Sequence, residues 1–322
     1  MADLLFSWTP ATVATLLTTT MENRDITEVQ DAVFSKLVLL DYLQKKNKVT
    51  RNGGASIIVP LRISANSTAG FYDGYQQINT TPQENETAGQ FDWKQAAASV
   101  SVSGRESRIQ NNGKYAVIDL VKQKIKDAED SLRNTINTGL FATSPGASDI
   151  GSLVTSIDAT STIGDINSTT YSFWQSTSTA SGSFAAQGLS DMRTLWNTLE
   201  QRSMHTPTPT DLLLTTSAIY NFYEGSLVPQ QRYTNSSTAN ASFENLKFRS
   251  ADVKYDAQAT SGVMYFLNSD CMELDIHSGT DFIMTDWVKP SNQDARVAQF
   301  LVALELVIKN RRKLGKLTGM TA

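Results

Sequence analysis

Apolar residues recur at steps of three and four from Tyr115 to Phe141. They are Ile118, Val121, Ile125, Ala128, Leu132, Ile136 and Leu140. That spacing keeps one helix face apolar for about seven turns, while Lys122, Lys126, Asp127, Glu129, Asp130 and Arg133 occupy the remainder. A helix of this length runs roughly 40 Å, so it serves as a spine on which other parts hang. Upstream the period changes to two. In Ala55 to Ser64 the alternation puts Ile57, Val59, Leu61 and Ile63 on one face of a strand. Gln90 to Ser103 reads as a second strand. Its apolar parity switches between Trp93 and Ala96, the mark of a bulge or bend. The polar residues between the two strands form too long a loop for a compact domain and are better read as the tip of a projecting hairpin. A two-stranded hairpin is barely stable alone, so its apolar face predicts a partner surface on another molecule.

The rest of the chain punctuates itself. Residues 1–24 have no clean period but carry Phe6, Trp8, Leu16 and Leu17, an arm ordered by lying on something else. Thr27 to Gln30 has capping-box spacing and opens a helix to about Lys46, closed by Lys45, Lys46 and Lys48. Thr143 to Ser183 is rich in Ser, Thr and Gly, with Tyr171, Phe173 and Trp174 tying loops and short strands to a core. A helix is predicted over Leu189 to Arg202, a turn at Met204 to Thr210, a buried strand at Leu212 to Leu214, and a helix or turn at Ala218 to Tyr223. Strands follow at Val263 to Leu267, Met272 to Ile276, Phe282 to Val288 and Val297 to Ile308. The last is apolar enough for a helix, but its β-branched residues favour a strand. The class is α+β.

Composition excludes more than it assigns. With 40% hydrophobic and 19% charged residues the chain is globular, and a net charge of −4 argues against a dedicated nucleic-acid binder. One cysteine, Cys271, forbids an intrachain disulfide and fits a reducing compartment. Residues 1–20 lack a basic stretch before their apolar patches and contain Pro10, so no secretion signal is read there, and no run approaches a membrane span. The six Asn-x-Ser/Thr sequons, at Asn66, Asn79, Asn85, Asn167, Asn235 and Asn240, are read as chance in a chain rich in these residues.

Candidate chemistry is sparse. His277 shares a strand face with Glu273 and Asp275, but that set lacks a second soft ligand for a metal, and surface roles are preferred. Cys271 lies roughly 20 Å from His277 along an extended strand, which reads as a buried thiol rather than a nucleophile. No phosphate-cradling glycine loop or nucleophile elbow occurs. No catalytic residue, cofactor or metal is therefore assigned. Lys309, Arg311, Arg312, Lys313 and Lys316 form a basic cluster, read as solvated or contacting the acidic hairpin tip of a neighbour (Asp73, Glu84, Glu86) in preference to DNA.

In this order the parts resemble the tailed-phage major capsid proteins of the Hong Kong 97-like fold. The hairpin opening NGGASIIVPL is similar, as are TIGDINSTTYSFWQS at 162–176, DLLLTTSAIYNFYEGSLVPQQRYT at 211–234, VMYFLN at 263–268 and KNRRKLGKLTGM at 309–320. The resemblance implies an N-terminal arm at 1–30, a helix and linker at 31–53, and an extended E-loop hairpin at 54–104. It implies a P domain with the spine helix at 105–184, an A domain at 185–260, and closing strands of both at 261–322. It further implies hexamers and pentamers closing into an icosahedral shell around double-stranded DNA that is contacted only weakly. Portal and scaffolding proteins are implied partners, a decoration protein is an optional one, and no membrane is involved. Assembly in the host cytoplasm and residence in the virion follow. Contact candidates between subunits are Trp8, Phe71, Tyr72, Asp73, Glu84, Glu86, Trp93, Lys94, Arg311 and Arg312. Some members cross-link a hairpin lysine, and Lys94 is in place for it without further support. The alternatives are an encapsulin-like nanocompartment shell, a hydrolase with an unrecognised carboxylate pair, and a tail or fibre protein, against which the long helix and absence of repeats speak.

Overall fold

The computed structural model describes residues 37–106, 120–202, 208–231 and 246–321. The predicted arm with Trp8, the start of the first helix, the spine before Leu120, the turn at Met204 with His205, and sequons Asn235 and Asn240 lie outside them. In chain order the strands are β1 (Val49–Asn52), β2 (Ile57–Arg62), β3 (Glu86–Phe91), β4 (Lys94–Ser103), β5 (Thr162–Ile163), β6 (Ile166–Asn167), β7 (Thr177–Ala180) and β8 (Leu212–Thr215). They continue with β9 (Lys247–Phe248), β10 (Ala251–Tyr255), β11 (Met264–Leu267), β12 (Met272–His277), β13 (Ile283–Met284), β14 (Ala295–Ile308) and β15 (Gly315–Thr318). The principal helices are Val38–Lys45, Leu120–Leu140, Leu189–Gln201 and Ser217–Gln231.

The described residues form two compact units. The larger comprises 37–96, 134–202, 208–231, 246–282 and 302–321. In it β1 runs parallel to β12, and β12 runs antiparallel to the second half of β14, with Met272 opposite Ile308 and Ile276 opposite Leu304. Alternation gives this sheet two unlike faces. Leu274, Ile276, Leu304, Leu306 and Ile308 are buried on one. The other carries Glu273, Asp275, His277 and Glu305. A second sheet of six strands has the order β7-β15-β11-β8-β10-β9. Leu212, Leu213 and Leu214 in β8 are all fully buried, as expected for a central strand covered on both faces. Helix Leu189–Gln201 lays Met192, Leu195, Trp196 and Leu199 into the same core as Phe248, Val253, Phe266 and Leu317.

The smaller unit comprises 97–106, 120–133 and 283–301. Here β13 pairs with the first half of β14, Ile283 opposite Leu301, and β4 also pairs with β14. Lys124 Nζ reaches Glu106 at 2.8 Å and the Ser101 carbonyl at 3.2 Å.

Three expectations need correction. The strand expected over Gln90–Ser103 is two strands, interrupted at Asp92 and Trp93, beside the parity switch read between Trp93 and Ala96; β3 pairs with β2 while β4 leaves for β14. The strand expected over Phe282–Val288 pairs only at Ile283–Met284, plus an isolated bridge from Val288 to Val297. The spine's apolar face is not uniformly buried: Leu132, Ile136 and Leu140 are, whereas Val121, Ile125 and Ala128 are only half-buried. Three of the sequon asparagines have a local role. Asn66, Asn79 and Asn167 each accept the backbone N–H two residues on, from Thr68, Thr81 and Thr169, so the pattern is a turn device. The strand reading of β14 holds over its full 14 residues.

Candidate assembly interface

Among the described residues the β2–β3 hairpin carries the most exposed large apolar side chains. Its foot is built by strand alternation: Ile57, Val59, Leu61 and Phe91 point inward and are buried with Ile166, Trp174 and Val307. The cover comes from the β5–β6 hairpin, whose two-residue turn places both Gly164 and Asp165 at φ near +60°, the signature of a type I′ turn. A side chain on Gly164 would meet the Phe91 ring at 3.1 Å, and its carbonyl accepts the Gln90 N–H at 3.1 Å. The apolar face that seemed to need another molecule is thus covered by the chain's own later residues.

The tip is different. Past Ile63, whose N–H donates to Asn85, the two arms are joined by Ser64 to Asn85 and Ser67 to Gln83, both at 2.7 Å. Beyond that, order is local: the Asx turns of Asn66 and Asn79, and Asp73 accepting the Gly74 N–H at 2.8 Å. Phe71 and Tyr75 are fully exposed, and Tyr72 and Ile78 largely so. Large exposed apolar groups gathered in one loop make the tip a candidate interaction surface. Asp73, Glu84 and Glu86 are exposed beside them.

The remaining candidates divide. Trp93 is half-buried; its Nε1 donates to the Gly54 carbonyl at 2.9 Å, and its ring meets His277 edge-on at 5.0 Å. Lys94 donates to the Ala147 carbonyl at 3.0 Å. Arg312 is exposed. Arg311 is not: at 0% exposure it donates to the carbonyls of Ser156, Asp158 and Ser161 and lies against the Trp174 ring, so it holds its own chain together. Burial lowers its pKa to about 10. Lys313 and Lys316 are buried too, and Lys316 donates to the Val154 carbonyl at 2.8 Å. Of the basic cluster read as solvated or contacting a neighbour, Arg311, Lys313 and Lys316 are thus buried in their own chain, while Lys309 and Arg312 are exposed.

The acid–histidine trio is likewise taken up locally. Glu273 pairs with Lys309, and Asp275 accepts from the Thr50 hydroxyl and from Asn52 at 2.9 Å. His277 Nδ1 accepts the Gly279 N–H at 3.1 Å. Cys271 is fully buried, which pushes its thiol up to about 12. Among the described residues no three His, Cys, Asp or Glu are placed to hold a metal ion, and no helix is long and apolar enough to cross a membrane.

No known family description and no curated protein matches the sequence. Solved structures do match the fold. The capsid asymmetric unit of cyanophage A-1(L) aligns over 93% of this chain and 97% of that chain, with a TM-score of 0.71 at 15% identity. The chain has the phage capsid fold. The capsid of the native GTA particle shares it at TM-score 0.63 and 9% identity, covering 91% of this chain and 94% of that one. So does the holo-SrpI encapsulin complex of Synechococcus elongatus PCC 7942, at 0.56 and 9%, covering 94% of each. Among the described residues the hairpin tip, at Phe71 and Tyr75, is the most exposed large apolar surface.

One group escaped the sequence reading. Glu305 is a lone acid in the apolar run VAQFLVALELVI, and it is 5% exposed in the structure. An isolated charge in an otherwise apolar strand was the available signal.

Proposed function

We propose that this chain is the major capsid protein of a tailed phage, closing as hexamers and pentamers into an icosahedral shell around double-stranded DNA. The observation that carries the reading is a fold shared with a phage capsid subunit along 93% of the chain. The uncovered tip residues Phe71, Tyr72, Tyr75 and Ile78 support it, because shells are held by adhesion spread over many modest contacts. In this reading the β2–β3 hairpin is the E-loop and lies across a neighbouring copy. Helix Leu120–Leu140 is the spine of the P domain, the six-stranded sheet belongs to the A domain, and residues 1–30 are the arm. Phe71, Tyr72, Asp73, Glu84, Glu86 and Arg312 face neighbours, with Trp93 and Lys94 bracing the hairpin foot. The role is structural rather than catalytic. Scaffolding and portal proteins, assembly in the host cytoplasm, and a final place in the virion belong to the same proposal.

The likeness to the SrpI encapsulin supports a second reading, a nanocompartment shell enclosing protein cargo. Light scattering and negative-stain electron microscopy of the expressed chain test both. Closed shells or rings of five and six are the expected result, and DNA that resists nuclease in intact native particles but is digested once they are opened selects the phage reading over enzyme cargo. A compact monomer under all salt and scaffold conditions would overturn both.

A further inference from the structure

Between the hairpin foot and the loop 143–151 lies a cavity of about 540 Å³, all of it within the larger unit. Four acids line it, Asp92, Asp149, Asp165 and Glu305, against a single base, Lys94. Glu305 Oε1 accepts the Gly151 N–H at 2.9 Å. Its Oε2 is buried and has no hydrogen-bond partner. A bare carboxylate oxygen in a buried place is costly unless something donates to it. Lys94 is the nearby base, but its ammonium donates to the Ala147 carbonyl and makes no hydrogen bond to Oε2. A Cβ at residue 151 would stand 2.6 Å from Oε1, so a side chain there would displace the Glu305 carboxylate.

We propose that this cavity binds an organic cation, an alkylammonium or guanidinium group, which donates to Glu305 Oε2 and is surrounded by the charge of Asp92, Asp149 and Asp165. A metal ion fits less well. No three acids, Cys or His among the described residues are placed to chelate one, and Lys94 adds positive charge to the lining. The volume also suits a small organic molecule better than a dehydrated ion. The same chemistry has two sources: a free di- or polyamine, and a Lys or Arg side chain of a second copy of this chain. The cavity argument itself does not depend on the assembly reading.

The test is calorimetric titration of the full chain with putrescine and, separately, with agmatine, at low salt and pH 8. Wild type is expected to bind one equivalent saturably. Glu305→Gln, checked for native circular dichroism, should bind about tenfold more weakly or worse. Glu200→Gln, which removes an exposed acid elsewhere, should bind as wild type does. Affinity should fall from pH 8 to pH 6. Burial holds the Glu305 carboxyl up at about 7, with Lys94 opposing the rise and Asp92 and the cross-strand Asp275 as its acidic neighbours, so it takes a proton over that range. Amine binding that persists in assembled particles identifies a free amine as occupant. Binding lost on assembly, with amine slowing assembly, identifies a neighbour's side chain. Absence of saturable binding at pH 8, equal binding by Glu305→Gln, or the same heat from magnesium chloride would each overturn the proposal.

Discussion

The foot and the tip of one hairpin obey different rules. At the foot, Ile57, Val59, Leu61 and Phe91 are buried by residues more than 70 positions later, Ile166 and Trp174 among them. At the tip, Phe71, Tyr72, Tyr75 and Ile78 meet no cover, and only hydrogen bonds between near neighbours shape the loop. The foot therefore contributes to folding of the single chain, whereas the tip's apolar surface does not, and its burial against a neighbouring copy is part of the proposed assembly. Val59→Asp should break the first half of this contrast outright. It buries an unpaired charge and costs about 4 kcal/mol or more, seen as loss of the native melting transition. Replacing both Phe71 and Tyr75 by Ser should do the reverse. Melting of the isolated chain stays within about 2 °C of wild type, since little contact is lost, but particles disappear from electron micrographs. Normal particles from that double variant would show that the tip is not an adhesive surface.

The long helix repeats the contrast along its own length. Leu132 is buried, whereas Ile125 is only half-buried. Leu132→Asp should abolish folding, at about 4 kcal/mol. Ile125→Asp should cost about 1 kcal/mol and leave a native-like chain. Equal unfolding by both, followed by circular dichroism, would mean that the upper face of the helix is as tightly packed as the lower.

What the sequence disclosed and what it hid follow the range of the interactions. The alternation of β2 and the β-branched run of β14 are local, and both were readable as strands. Gly164-Asp165 was readable in principle as a hairpin turn, but its place beneath Phe91 was not, because pattern carries no information about which distant face a turn will cover. The same limit produced the error at the basic cluster. In KNRRKLGK every charge looks alike, yet Arg311 is sealed under carbonyls from residues 156–161 while Arg312, one position on, is exposed. The hairpin's need for a partner was inferred correctly from its instability alone, but the partner at the foot turned out to be the same chain.

That pair of arginines gives the next test. Arg311→Ala removes donors from three carbonyls and should lower stability by about 3 kcal/mol. Arg312→Ala should leave chemical denaturation within about 0.5 kcal/mol of wild type and act, if at all, on particle yield. Comparable losses from both would return Arg311 to the surface role first read for it.

Glu305 supplies the effect that depends on conditions. Its pKa, raised by burial to about 7, lies above that of the unfolded chain. The folded state therefore holds the proton more tightly. Its stabilising share is complete below the unfolded carboxylate range and is lost as pH rises through about 7. For a group that is 5% exposed this reaches about 3 kcal/mol at most between pH 4.5 and pH 8. Glu305→Gln removes the titration, so its stability relative to wild type should climb across that interval, measured by urea denaturation at several pH values. A bound amine at pH 8 should recover much of the wild-type loss, because a donor at Oε2 offsets the burial of the charge. If the two curves run parallel from pH 5 to pH 8, Glu305 is already paired in solution, and the contrast between a satisfied hairpin foot and an unsatisfied carboxylate beside it fails.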